Sequence, residues 1–198
     1  ETSMKPLAAS SFITPDGATR LISAGGQDLD TLRRAALSKD FRPVPLAVKA
    51  SFQVKNKLHD FESGNVIALC EGSDANLRRE YVIYTAHWDH LGRDEKLTGD
   101  QIYNGAIDNA SGTAALLEIA DAFARMKPHP KRSILFLATT AEEAGLLGAK
   151  YYTRRPLYPL SRTLADINMD IFFPFGRSRD ILSVTHGYST LDEVLSEA

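Results

Sequence analysis

Imidazole and carboxylate side chains recur at four places in the chain: His87-Trp88-Asp89-His90, Asp108, the pair Glu142-Glu143, and Asp170. These residue types ligate divalent metals, and each occurrence has a feature suited to that task. A histidine ligand needs its second ring nitrogen held by a partner, which fixes the tautomer and aims the ring. Asp89, two residues after His87, is placed for that role. Asp108 lies in the polar, glycine-bounded segment Asn104 to Gly112 and is delivered to the start of a helix. A carboxylate on such a turn, at a positive helix end, can be reached from both sides and can bridge two cations. Adjacent glutamates after a strand raise one another's pKa unless cations offset their charge. Two divalent ions against the carboxylates of Asp108, Glu143 and Asp170 leave one positive charge, which a bridging hydroxide neutralises. Zinc lowers the pKa of bound water to about 7, so that hydroxide is available at neutral pH.

The elements that must position these groups alternate from residue 80 onward. Strands are expected at Tyr81 to Thr85, Ser133 to Ala138, Leu164 to Asn168 and near Ile181 to Val184. Helices are expected at Thr113 to Met126, from about Gly145 to Arg154, and opening at Thr190. Near-continuous apolar strands separated by helices predict an α/β fold, a three-layer sandwich with a mixed, largely parallel central sheet covered by helices. In open α/β sheets ligands bind beyond the carboxyl ends of the strands. The first strand runs into His87, the second into Glu142-Glu143 and the third into Asp170.

The earlier part of the chain carries different signals. Thr14-Pro15 caps and opens a helix that Gly25-Gly26 stops, and Asp28 caps a second helix through Leu37. Strands are expected near Ala47 to Val54 and at Asn65 to Leu69, their order suggesting an antiparallel pair at a sheet edge. The organisation is therefore read as an N-terminal helical segment, 1–44, and a catalytic domain, 45–198.

With 198 residues, 43% hydrophobic and 24% charged, the chain is long enough for one sizeable core. A net charge of −2 provides no basic footprint for nucleic acid or an anionic membrane, and favours a small-molecule or peptide substrate. No apolar run approaches the roughly 18 residues of a membrane span. Beginning at Glu1 without a leader, the sequence reads as a mature or trimmed chain. Cys70, the single cysteine, is expected to be a buried, inert thiol.

The residues that carry the metal chemistry resemble the co-catalytic zinc aminopeptidases of peptidase family M28. The resemblance covers residue 45 to the C-terminus and is strongest from 80 to 170. It rests on His87-Trp88-Asp89-His90-Leu91-Gly92, on Gly105-Ala106-Ile107-Asp108-Asn109-Ala110-Ser111-Gly112, on Ala141-Glu142-Glu143-Ala144-Gly145-Leu146-Leu147-Gly148, and on Asn168-Met169-Asp170. The stretch 1–44 is similar to the segment that follows a protease-associated insert in some members. The resemblance implies that His87 and Asp170 ligate one zinc, Glu143 ligates the other and Asp108 bridges them. Asp89 would orient His87, and Glu142 would be the general base acting on the bridging water. A cis peptide between Asp108 and Asn109 is also implied, as are peptide substrates with a free N-terminus and a secreted or periplasmic setting.

The chain departs from this pattern in one respect. Family members complete the second zinc with a histidine far downstream of the last aspartate, whereas here 28 residues follow Asp170 (198 − 170). His186 lies only 16 residues on (186 − 170) and is expected to be an ordinary strand-end histidine. The chain therefore reads as a fragment with an incomplete second zinc site, about one tightly bound metal, little or no activity, and an uncovered sheet edge that predicts self-association. His90 is expected to be a packed, hydrogen-bonded residue behind the metal, and His59 and His129 to be loop residues. Carboxypeptidase action, glutaminyl cyclisation and a non-catalytic interaction domain are the competing readings.

Overall fold

The computed structural model describes residues 11–55, 57, 60–172, 176, 182–184 and 187–197. It divides into two compact units, Glu1–His59 and Asp60–Ala198.

Within the first unit, α1 (Pro15–Ala24) and α2 (Leu29–Ala35) form where their caps dictate. Thr14 Oγ1 accepts the Gly17 amide at 3.2 Å, and Asp28 Oδ1 accepts the Thr31 amide at 2.8 Å. Caps of this kind contribute about 1 kcal/mol each. No described residue of this unit is buried, so its helices are held by local signals and not by a core. Residues 47–54 form no strand, contrary to the sequence expectation; Phe52 and Val54 are exposed. Alternation alone does not make a strand, because an extended segment needs a ladder partner for its amides.

The second unit contains a sheet of β1 (Val66–Cys70), β2 (Tyr81–His87), β5 (Ser133–Thr139) and β6 (Thr163–Asn168) in the order β1-β5-β2-β6. β2 pairs in parallel with β5 on one side and β6 on the other, and β1 takes β5 as its antiparallel partner. The sheet is thus mixed and largely parallel. Two strands of two residues each, β3 (Gly92–Arg93) and β4 (Ile102–Tyr103), make a separate hairpin that the sequence pattern did not signal.

Side-chain alternation divides the core between the two faces of the sheet. Ile134 and Phe136 of β5 and Ala86 of β2 pack with Leu116 of α3 (Ser111–Arg125). Leu135 and Leu137, pointing the other way, pack with Ile83 and with Tyr152 of α4 (Leu147–Arg154). Helices therefore cover both faces, the three-layer arrangement expected. From β2 the chain passes through α3 to the neighbour on one side, and from β5 through α4 to the neighbour of β2 on the other side. Such a reversal of direction opens a crevice at the carboxyl ends of the strands. The last described element is α5 (Leu191–Glu197). Residues 182–184 form no strand, while Ile181, His186 and His59 lie outside the described residues.

Candidate metal centre

Every strand that borders the crevice delivers one of the expected groups. His87 ends β2, its side chain only 4% exposed. Its Nε2 lies 3.1 Å from Asp108 Oδ1 and 3.5 Å from Asp170 Oδ1. Ligands about 2.0–2.1 Å from a tetrahedral zinc stand roughly 3.3 Å apart, so these two distances match edges of such a shell. Asp108 also belongs to a second group with His90 and Glu143, and within each group the ligand atoms lie within 4.8 Å of one another. One carboxylate shared by two groups of nitrogen and oxygen donors fits a pair of divalent ions with Asp108 between them.

Asp108 sits in the turn Ala106–Ala110, where Asp108 (φ −112°, ψ 93°) and Asn109 (φ −137°, ψ 41°) depart from helical geometry, and its peptide bond to Asn109 is cis. The turn begins at Gly105, whose φ of +64° is left-handed and where a Cβ would lie 2.9 Å from the Asp108 carbonyl oxygen. Glycine satisfies both demands. Asn109, expected only as the partner of Asp108 in the cis peptide, is 2% exposed, and its side chain ties this turn to the Asp170 segment. Its Nδ2 donates to the Met169 carbonyl at 3.0 Å, while its Oδ1 accepts the Gly112 amide at 3.0 Å and the Ile171 amide at 3.4 Å. Its signal in the sequence is a lone amide side chain between the bridging aspartate and a run of small residues.

Asp89 differs from expectation. His87 Nδ1 donates to the Asp89 main-chain carbonyl at 2.9 Å, and the Asp89 carboxylate stands 4.0 Å from that nitrogen. The carboxylate turns instead to the segment after β5. It accepts from the Ala141 amide, from Thr140 Oγ1 at 3.3 Å and from the Glu142 amide at 3.4 Å. The physical reason is that three donors converge there, with Ala141 held in the left-handed region at φ 52°. An ionised carboxylate stabilises such a turn better than a neutral acceptor would.

Glu142 lines a cavity of about 260 Å³ together with His87, Asp166, Asn168 and Asp170, with Tyr152 on its apolar side. Burial raises the Glu142 pKa above its ordinary value; the charges of Glu143, Asp170 and Asp108 add to the rise and His87 opposes it. Burial alone would lower the His87 pKa, but the Asp89 carbonyl and the charges of Asp170, Glu142 and Asp108 outweigh it and raise the value. In the metal-free chain the cluster thus draws protons where it would hold cations.

His90 is not the hydrogen-bonded residue expected. Its Nδ1 is buried, 2.7 Å from Glu143 Oε1, yet has no hydrogen-bond partner among the described residues. Trp88, 47% exposed, donates through Nε1 to the Gly64 carbonyl at 3.3 Å and is not among the residues lining the cavity. His129 Nδ1 lies 3.2 Å from the Glu71 carbonyl, and Cys70 is half-buried.

Comparison with known proteins gives a concordant picture. The sequence pattern of Peptidase family M28 matches residues 65–198. The chain is 36% identical over 132 residues to aminopeptidase NAALADL1 of Mus musculus, covering 64% of this chain and 16% of that protein. It is also 36% identical over 107 residues to a probable zinc metalloprotease of Pyrenophora teres f. teres, covering 54% of this chain and 22% of that one. Among solved structures, a zinc aminopeptidase from Bacillus subtilis is 30% identical, with a TM-score of 0.42, covering 54% of this chain and 24% of that one. The chain spans less than a quarter of the length of each of these proteins.

Proposed function

The chain belongs to peptidase family M28, and on that premise we propose that it carries the metal-binding half-site and general base of a two-zinc aminopeptidase, which releases residues from the N-terminus of peptides. The observation that carries this reading is the convergence of His87, Asp108 and Asp170 at ligand spacing, with Glu142 lining the adjoining cavity. Bound zinc would supply the Lewis acidity that polarises a peptide carbonyl and acidifies water. His87, Asp170 and Asp108 would hold one ion, and Glu143 would contribute to the other.

Glu142 does the proton work. Lining the cavity beside His87 and Asp170, its carboxylate would accept a proton from the attacking water and return it to the leaving amine nitrogen as the C–N bond breaks. The carboxylate of Asp89 holds the backbone on which Glu142 stands. Glu143 adds negative charge where the free amine of a peptide substrate would be held. The outer edge of β6, with Leu164 and Ile167 exposed, supports the reading that the chain also self-associates.

Substitution of Glu142 tests the assignment. In the active protein, Glu142→Gln is expected to reduce turnover of an aminoacyl-p-nitroanilide by at least about 10²-fold while zinc content stays at the parental level. Full activity, or loss of zinc, would refute the role of Glu142.

A further inference from the structure

We infer that Asn65 is a positioning residue for Glu142: its side-chain amide closes the neck of the loop that carries the general base, holding one backbone group at each end. The inference rests on the reading of Glu142 given above and adds the residue that fixes its place.

The loop leaves β5 at Thr139 and returns at α4, which begins at Leu147. β1 and β5 pair antiparallel from Val66 opposite Ala138 inward, so Asn65 stands one residue beyond the ladder. There its side chain takes over from the main chain. Asn65 Oδ1 accepts the Thr140 amide at 3.1 Å, and Nδ2 donates to the Gly148 carbonyl at 2.9 Å. The Gly148 amide in turn donates to the Thr140 carbonyl at 2.9 Å. These three bonds form a closed set that only an amide side chain satisfies, with its oxygen toward the N–H and its nitrogen toward the carbonyl. Residue 148 has no room for a side chain, since a Cβ there would collide with Asn65 Oδ1 and the Thr140 carbonyl and lie 2.7 Å from the Thr140 nitrogen.

The loop that this neck closes has a backbone that needs support. Ala141 and Leu146 adopt left-handed φ values of 52° and 61° without being glycine. Such conformations persist only where the surroundings over-determine them. Within the loop, the Glu142 carbonyl accepts the Gly145 amide at 2.8 Å and the Leu146 amide at 2.7 Å, and the Leu147 amide donates to the Ala141 carbonyl at 3.0 Å. Those bonds join the loop to itself, so they set its shape and leave its place on the sheet open. Its place is set from outside, by the Asp89 carboxylate and by Asn65. Ser63 joins the two braces: Thr140 Oγ1 gives its proton to Asp89, and Ser63 Oγ donates to that hydroxyl at 2.6 Å. Residues 63–65, at the entry to β1, thus determine where Glu142 stands relative to His87 and Asp170.

Kinetics and hydrogen exchange test the assignment. In the active, zinc-loaded protein, Asn65→Ala is expected to lower kcat for an aminoacyl-p-nitroanilide about 10-fold or more, with KM within about 2-fold of the parent and zinc content unchanged. On the Glu142→Gln background the same substitution should change kcat by less than about 2-fold, because a group that acts through the base has nothing left to position. In the metal-free 198-residue chain, Asn65→Ala should speed amide exchange across residues 140–148 while β5 stays protected as in the parent. Asn65→Asp, which keeps the Thr140 bond and sets two oxygens against each other at Gly148, should shift kcat and exchange in the same direction and serves where the alanine variant is not native by circular dichroism. Parental kcat in both Asn65 variants, an equal fall with and without Glu142, a fall that follows lost zinc, or unchanged exchange across 140–148 would overturn the inference alone. Full activity of Glu142→Gln would overturn it together with the reading of the base.

Discussion

At the scale of single residues, Asp89 divides two tasks between its main chain and its side chain. The carbonyl holds His87 Nδ1, and the carboxylate holds Thr140, Ala141 and Glu142. Removing the carboxylate leaves the carbonyl in place, so the two tasks can be separated by mutation. Asp89→Ala is expected to lower turnover about 10- to 100-fold, the usual consequence of losing a group that orients the reacting ones. Zinc affinity at the His87 position should change by much less. Kinetics alongside zinc titration would check this, and a variant that loses the His87 metal while keeping its turnover per bound zinc would show that the carboxylate serves His87 after all.

At the scale of elements, the site depends on how closely the start of α3 approaches the end of β6. A Cβ at Gly112 would lie 2.6 Å from the Met169 carbonyl oxygen and 2.9 Å from Asn109 Cγ. The carbonyl belongs to backbone fixed by its strand, since the Met169 amide donates to the Thr85 carbonyl at 2.8 Å. It cannot give way as the end of a flexible side chain would. Gly112→Ala should therefore push α3 outward and break both bonds that Asn109 makes across the gap, costing about 1–3 kcal/mol by overpacking. Because Asn109 adjoins Asp108 and Met169 adjoins Asp170, zinc content should fall with stability. Chemical denaturation and metal analysis of the variant give the answer; a parental midpoint with parental zinc would mean the helix accommodates the methyl group.

At the scale of the whole molecule, the clustered charges couple folding to pH and to metal. The folded-state pKa of His87 is raised above its ordinary 6.5, so its contribution to stability is fully present below that value and is lost as pH rises through the folded pKa. Glu142, also raised, from 4.5, has the same sign at lower pH. The metal-free chain is thus expected to lose thermal stability as pH climbs above the ordinary imidazole value of 6.5. Zinc binds the neutral imidazole and displaces the proton, so its stabilisation grows over the same interval. Melting curves with chelator and with excess zinc should diverge as pH rises, and His87→Gln should flatten the slope of the metal-free series. Parallel curves would indicate that His87 does not couple to the metal.

The chemistry was legible in the sequence because metal binding demands particular side chains and open α/β sheets present them at strand ends. His87, Glu143 and Asp170 could be picked out by type and by their place after apolar runs, Asp108 by its glycine-bounded turn before a helix, and the caps of α1 and α2 by signals confined to a few neighbouring residues. Long-range contacts were not legible. The partner of β1, the failure of residues 47–54 to form a strand, and the clamp of Asn109 on Met169 depend on segments about 60 or more residues apart whose packing no local pattern encodes. The same holds for orientation at the site. Whether Asp89 turns its carbonyl or its carboxylate toward His87, and whether His90 packs away or faces Glu143, is decided by donors and ring neighbours brought in from other elements, and those meet only when the sheet and its helices close on one another.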